Sequence, residues 1–158
     1  MQATTLLEAD HTRLCDLIRR LDAPLPAAAR QRLLDQLALE LDVHTRIEEE
    51  VFHPAVAQVS GAVAAARRGQ EQVSNLMADL QERDPRSADF APLVTALQDA
   101  VHHHVCQEEG TLFQDAERLG EVQLERLASV IAERQQTLRT AARMPARRAH
   151  RRATHRAA

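Results

Sequence analysis

Residues 41–52 read LDVHTRIEEEVF, and this stretch decides the fold. Its apolar side chains recur three or four residues apart, which is the period of one face of an α-helix. His44 and Glu48 occupy that same face one turn apart, so two polar groups interrupt an apolar seam. The complete inward stripe is Leu34, Leu37, Leu41, His44, Glu48, Val51 and Phe52.

The same order of apolar residue, histidine, glutamate and apolar residue recurs later in the chain, with His104 and Glu108 at its centre. His11 has the phase of an inward residue in the first helical segment, between Leu7 and Leu14. Three segments therefore turn imidazole or carboxylate groups toward one interior. The later stripe is Leu93, Leu97, Val101, His104, Glu108 and Leu112.

Periodicity predicts five helices, over residues 4–21, 27–59, 62–82, 90–119 and 121–142. No stretch alternates apolar and polar residues for long enough to indicate a strand. The expected fold is all-α, an up-down antiparallel four-helix bundle over residues 1–120. The fifth helix, over residues 121–142, is expected to cap the bundle or to mediate a dimer, and the oligomeric state stays open.

Composition agrees with a helical core. The chain has 158 residues, of which 44% are hydrophobic and only 2% aromatic, so Leu, Val and Ala must fill the interior. Its start lacks the basic and apolar regions of a signal peptide, and no apolar run is long enough to span a membrane. Two cysteines do not make a disulfide framework. The predicted location is the cytoplasm.

Charge is divided unevenly along the chain. Residues 143–158 hold six of the 20 basic residues and none of the 23 acidic ones, which leaves 14 against 23, or −9, for the rest. This Arg-rich tail has no apolar periodicity and is expected to be disordered. A solvated tail without a dedicated partner is the preferred interpretation, and nucleic acid, through arginine contacts to phosphate, is the weaker alternative.

The inward histidines and glutamates have the chemistry of a metal site. Residues four apart on a helix lie about 6 Å from each other, so a His and a Glu so placed can share one ion. Imidazole nitrogen and carboxylate oxygen together suit iron, manganese or zinc. A buried carboxylate without a partner is costly, which favours a metal. The predicted ligands are His11, His44, Glu48, His104 and Glu108.

Three neighbours are secondary candidates, because helix phase read from sequence is accurate only to about one residue. Glu109 competes with Glu108 for the inward position. Gln70 faces the interior from the third helix, and Glu71 could replace it only if that helix were rotated or distorted.

Other polar side chains are expected to lie outside the site. His53, just before a proline, is predicted at the surface or at a helix end. His102 is predicted to be solvated, and His103 is a weaker alternative ligand. Cys15 and Cys106 are predicted to be small core or boundary residues, because neither falls on the His/Glu stripe.

The chain resembles the hemerythrin-like, or HHE cation-binding, domains over about residues 5–118. The resemblance rests on Asp10-His11, on residues 44–54 (HTRIEEEVFHP) and on residues 103–113 (HHVCQEEGTLF). It implies a four-helix bundle with a non-haem di-iron centre. By that resemblance His11, His44 and His104 are imidazole ligands, whereas Glu48 and Glu108 bridge the two irons.

The chain departs from the family pattern on the third helix. Gln70 stands where the family has a histidine, and Ser74 stands where dioxygen-binding members have a second one. One metal subsite should therefore be under-ligated. We expect iron, as a di-iron centre, with a mononuclear site or substitution by manganese or zinc as alternatives.

Three functions follow from this interpretation. The leading one is a protein that binds or senses dioxygen, nitric oxide or peroxide, or handles iron under oxidative stress. The second is a metal-dependent oxidoreductase that consumes peroxide or nitric oxide at the same centre. The third is a bundle without metal that acts as an interaction module, which the substitutions Gln70 and Ser74 suggest.

Overall fold

The computed structural model describes residues 1–144 and contains only helices over that range. The described residues form five long helices and two short ones of four residues each. The helices are α1 (Ala3–Leu21), α2 (Ala27–Ile47), α3 (His53–Val56), α4 (Val63–Gln81), α5 (Phe90–Gln107), α6 (Phe113–Ala116) and α7 (Glu121–Arg143). The predicted all-α class is confirmed.

The four long helices α1, α2, α4 and α5 form the bundle. Short connections make successive helices antiparallel neighbours, and α5 closes the ring by packing on α1. Among the four seams, the one between α4 and α5 is the most extensive and the one between α2 and α4 is the sparsest. The fifth helix, α7, packs against α1 and α2 from outside.

Two helices that periodicity predicted as continuous are interrupted in the structure. A π-helical turn at Glu48–Phe52 separates α2 from α3, and a second one at Glu108–Leu112 separates α5 from α6. Each π turn begins at the glutamate of a His/Glu pair. Pro54 lies in the first turn of α3, where its missing N–H is tolerated.

A glycine separates α7 from the preceding helix. After α6 a 3₁₀ turn at Glu117–Leu119 ends at Gly120, whose φ of 82° is a left-handed conformation that favours glycine. This geometry agrees with the prediction that one helix ends at residue 119 and the next begins at residue 121.

The core consists of two apolar clusters, one on each side of a polar layer. Leu14 belongs to one cluster, with Leu37 and Leu97, whereas Leu7 belongs to the other, with Phe52. His11 lies between Leu7 and Leu14 on α1. The His/Glu layer thus crosses the middle of the bundle.

The predicted inward stripes around His44 and His104 are largely buried. On α7, Val122 and Val130 are 65% and 49% exposed. The buried face of α7 instead follows Leu124, Leu127 and Ile131, whose spacing of three and four places the two valines on the outer side.

The Arg-rich tail, residues 143–158, was predicted to be disordered. Its first residue, Arg143, ends α7, and residues 145–158 lie outside the part of the chain that the structure describes. Across residues 1–144, no helix combines the length and apolar character that a bilayer crossing requires.

Candidate metal centre

Five side chains from three bundle helices and the two π turns converge at the polar layer, and all five are buried. One donor atom from each lies within 4.8 Å of every other. Since metal–ligand bonds to nitrogen and oxygen are about 2.0–2.2 Å, donors on opposite sides of an ion lie about 4.2 Å apart. The five atoms can therefore surround a cation with little movement. They come from His11, His44, Glu48, His104 and Glu108.

The converging donor atoms form no hydrogen bond of good geometry, although His44 Nε2 lies 3.0 Å from Glu48 Oε1 and His11 Nε2 lies 3.4 Å from Glu108 Oε2. They are the Nε2 atoms of the three histidines, together with Glu48 Oε1 and Glu108 Oε2. A buried polar atom left unpaired costs about 1–3 kcal/mol. A cation bound among them would satisfy all five, so the donor set fits a metal.

The charges of the cluster are balanced within it. Burial alone would lower the pKa of His11, but the carboxylates of Glu108 and Glu48 raise it to about 10. His44 shows the same opposition, and the charge of Glu48 together with Asp10 raises its pKa to about 9. The imidazolium of His44 in turn holds the pKa of Glu48 well below its usual range despite burial. A bound cation would replace these protons.

Glu109 takes a different place from Glu108. The Glu108 side chain is fully buried in the centre, whereas Glu109 is 39% exposed and its Oε1 lies 2.8 Å from His11 Nδ1. A carboxylate on the outer nitrogen of a histidine fixes the ring with its other nitrogen toward a metal. Of the two neighbouring glutamates, Glu108 is therefore the one that faces the centre.

Asp10 lies behind His44, at a distance longer than a hydrogen bond. Its Oδ2 lies 3.9 Å from His44 Nδ1, and the carboxylate is buried. Gln135, a buried residue of α7, donates a hydrogen bond to the same Oδ2. Arg13 Nη1 approaches the other oxygen at 3.2 Å. The fifth helix is therefore connected to the centre through Asp10.

Gln70 faces the centre as predicted, but its amide donates to a carboxylate. Its Nε2 lies 2.6 Å from Glu48 Oε2, and it also reaches the carbonyl oxygen of Thr45 at 3.4 Å. In this orientation Gln70 holds one oxygen of Glu48 in place. Glu71, the next residue of α4, is exposed, so the structure does not bring this alternative ligand to the centre.

His53 was predicted at the surface or at a helix end. It is the first residue of α3, but the prediction of a surface position is wrong because the side chain is buried. His53 is 0% exposed, and its Nε2 lies 3.0 Å from Glu108 Oε1. The reason is the π turn, which closes after five residues instead of four and so returns His53 to the face of Glu48. A sequence signal existed, since a ring-bearing residue stands five positions after both Glu48 and Glu108.

Phe113 is the counterpart of His53 in the second half of the centre. It follows Glu108 by five residues across the second π turn, and its ring stacks on His11 at 5.8 Å with an angle of 7°. The two halves therefore share a backbone arrangement but differ at this position. One half offers an imidazole and the other an apolar ring.

The remaining candidates lie away from the centre. His102 and His103 are exposed, which agrees with solvation for His102 and removes His103 as an alternative ligand. Cys15 and Cys106 are both exposed free thiols, so the prediction of core or boundary positions is wrong for them. Cys106 Sγ lies 3.6 Å from His102 Nε2 at the surface.

A small enclosed cavity adjoins the donor atoms. Its volume is about 10 Å³, which is near the room that one water molecule needs. His11, His44, His104 and Gln70 form its polar side. Apolar side chains, among them Leu41, form the rest. A ligand position next to the metal would therefore be small and largely shielded from water.

Comparison with known proteins agrees with this architecture. The model of the hemerythrin HHE cation binding domain matches residues 2–116 of the chain. The uncharacterized protein Rv2633c of Mycobacterium tuberculosis is 26% identical over 142 residues, which are 88% of each chain. The uncharacterized protein Mb2666c of Mycobacterium bovis is similar to the same extent.

Two further proteins are similar. A DNA nickase of Nostoc sp. is 29% identical over 115 residues, which are 72% of this chain but only 33% of the nickase. A crystal structure of an HHE cation binding domain-containing protein from Mycobacterium kansasii, a homologue of Rv2633c, has a TM-score of 0.82 at 24% identity. The match covers 90% of each chain. The similarity to this crystal structure concerns the fold alone.

Proposed function

Because this chain belongs to the hemerythrin HHE cation-binding domain family, we propose that it is a non-haem iron protein that binds and reacts with small oxidants, namely peroxide, dioxygen or nitric oxide. The observation that carries the proposal is the set of five buried, unpaired donor atoms that face one another in the polar layer. Three imidazoles with two carboxylates are a donor set that suits iron.

The proposed centre would be a di-iron one, held by the three imidazoles of His11, His44 and His104 and the two carboxylates of Glu48 and Glu108. Each carboxylate has a second oxygen directed away from the five-atom cluster, one toward Gln70 and one toward His53. His53 is therefore the added imidazole that compensates for the histidine absent from the third helix. Manganese or zinc in place of iron, or a single ion, remain the alternatives that metal analysis separates.

The residues around the centre support reaction rather than reversible storage. Bound ferrous iron would supply electrons to a small oxidant. The apolar walls of the cavity exclude bulk water, while Gln70 keeps one Glu48 oxygen in place through its hydrogen bond. His53 Nε2 lies 3.0 Å from Glu108 Oε1, so this imidazole is already placed beside a carboxylate of the proposed centre.

Metal content tests the proposal directly. Protein from iron-replete cells, purified without chelators, should contain at least one equivalent of iron per chain and should show a visible spectrum. His104→Ala should lose most of that iron, whereas His103→Ala, its exposed neighbour, should keep it. Well under one equivalent of iron, manganese or zinc, together with unchanged thermal stability on addition of ferrous iron, would overturn the proposal in favour of a metal-free interaction module.

The reaction with oxidants is tested on the ferrous protein. Dioxygen, nitric oxide and hydrogen peroxide are added separately while visible spectra are recorded. Formation and full reversal of a stable oxygenated species would contradict the reactive centre and indicate dioxygen storage.

A second candidate is an oxidoreductase that turns over peroxide or nitric oxide, and the small cavity beside the donor atoms favours it because turnover needs a position where the oxidant can bind and leave. Steady-state turnover that scales with bound iron in metal-titrated samples is the expected result for an enzyme. A single reaction per iron, without turnover, supports a sensor or binding protein.

Nucleic-acid binding is not part of the proposal. The Nostoc DNA nickase is about three times longer than the part it shares with this chain. Deletion of residues 145–158 tests the Arg-rich tail, and unchanged retention on heparin would leave it without a role in phosphate binding.

A further inference from the structure

The four seams of the bundle differ in how completely they shield the centre. Between α1 and α5, His11 Nδ1 and Glu109 Oε1 meet at 2.8 Å. Between α4 and α5, the backbone of Gly69 lies so close to His104 that a Cβ there would be 3.3 Å from its Nδ1. The seam between α1 and α2 is covered by α7, so a close contact or a further helix lies over each of these three seams.

The fourth seam, between α2 and α4, carries a pocket that opens to solvent. Its volume is about 160 Å³, and small or flexible side chains line it. Ala38 and Thr45 come from α2, whereas Ser74 and Met77 come from α4. Ser74 stands one turn after Gln70, so the α4 wall of the pocket runs directly toward the centre.

The open pocket and the enclosed cavity share part of their walls. Leu41 and Thr45 line both spaces. Gln70 lines the inner cavity, and its amide donates to the carbonyl of Thr45 at the boundary. A single layer of side chains therefore separates solvent from the donor atoms at this seam.

We propose that the seam between α2 and α4 is the access route by which small oxidants reach the metal centre, with Leu41, Thr45 and Gln70 as its inner gate. The inference rests on the proposed function and specifies its substrate class. The inner cavity, which is near the size of one water molecule, favours small molecules such as hydrogen peroxide, dioxygen and nitric oxide over larger ones. Organic hydroperoxides with branched alkyl groups are excluded by the gate.

The test fills the outer pocket from both walls and measures nitric oxide binding to the iron-loaded ferrous protein by stopped flow. Ser74→Leu and Ala38→Leu narrow the pocket from opposite helices, and the matched control is Ser129→Leu on the exposed face of α7. Both filling variants should slow association and dissociation about tenfold, with the Kd, iron content and thermal midpoint unchanged. Equal changes in both rates are the signature of a blocked route, because a perturbed metal centre would change the Kd.

Removal of the gate provides the opposite test. Leu41→Ala should accelerate nitric oxide binding and should admit tert-butyl hydroperoxide, measured as oxidation of the ferrous spectrum, which the wild-type protein resists. Wild-type rates in iron-loaded Ser74→Leu and Ala38→Leu would overturn the access route while leaving the proposed function intact. Absence of iron from the wild-type protein would overturn both.

Discussion

His53 distinguishes the two halves of the centre at the residue scale. It contacts Glu108 through Nε2 at 3.0 Å, whereas its counterpart Phe113 stacks on His11. A phenylalanine is tolerated at the matching position of the other half, so the bundle can accommodate either ring. The difference between the halves is therefore chemical, since one ring can bind a metal or a proton and the other cannot.

The variant His53→Phe tests this difference. Because it removes an imidazole from the buried face of Glu108, we expect iron affinity to fall by about 10–100-fold. Competition with a chromogenic ferrous chelator measures the affinity. His103→Phe, on the exposed side of α5, is the control and should bind iron as the wild type does. Equal affinity of His53→Phe and wild type would show that His53 takes no part in metal binding.

The raised histidine pKa values predict the pH dependence of the metal-free protein. His11 and His44 have folded pKa values of about 10 and about 9, above their ordinary 6.5. Their contribution to stability is fully present below pH 6.5 and is lost as pH rises through 9 and 10. The thermal midpoint of the metal-free protein should therefore fall over that range.

Metal binding should have the opposite dependence on pH. Because the imidazoles must lose their protons to bind a cation, affinity should increase from pH 6.5 upward. Calorimetry with and without zinc, a metal without redox chemistry, measures both trends. A midpoint for the metal-free protein that stays level between pH 6.5 and 9.5 would contradict the assignment of shared protons to His11 and His44.

At the scale of elements, α7 contributes to the centre although it lies outside the bundle. Gln135 donates to Asp10, and Asp10 faces His44 Nδ1. Arg139 adds to this contact by pairing with Glu40 of α2 at 2.8 Å. Helix α7 therefore holds the outer side of a predicted metal ligand.

A pair of glutamine variants tests this contribution. Gln135→Leu removes the donor to Asp10, so His44 should be less well oriented and iron affinity should fall about tenfold. Gln136→Leu changes the exposed residue next to Gln135 and should leave the iron affinity at the wild-type value. Circular dichroism checks that both variants keep their helix content. An equal effect of both substitutions would indicate a general loss of α7 packing.

Helix periodicity was sufficient for the five helices and for the inward phase of His44, Glu48, His104 and Glu108, because a regular α-helix keeps its phase over several turns. It failed just after each glutamate. A π turn changes the phase by one residue, and nothing in local propensity marks it. Thus His53 was predicted at the surface or at a helix end; it does begin α3, but it is buried. The choice between Glu108 and Glu109 also required the structure.

At the scale of the whole molecule, the polar layer divides the core. The apolar cluster around Leu37 lies on one side and the cluster around Phe52 on the other. The buried donor atoms of this layer take the place of apolar packing in the middle of the bundle. A bound cation should therefore join the two clusters into one cooperative unit.

Metal addition should consequently raise the thermal midpoint. A free metal concentration of about 100 Kd contributes about 2.7 kcal/mol to the free energy of unfolding. For a chain of this size that corresponds to a shift of roughly 5–10 °C. Differential scanning calorimetry measures it, with His104→Ala as the variant that should show little shift. A full shift in His104→Ala would place the stabilising metal elsewhere.

The two π turns also mark an internal repeat. His44 and Glu48 recur sixty residues later as His104 and Glu108, and α1 (Ala3–Leu21) recurs at the same interval as α4 (Val63–Gln81). The bundle thus has the layout of one helical hairpin used twice. The match is incomplete, because at this interval His53 corresponds to Phe113 and His11 corresponds to the exposed Glu71. The two repeats therefore supply unequal numbers of imidazoles to one shared layer.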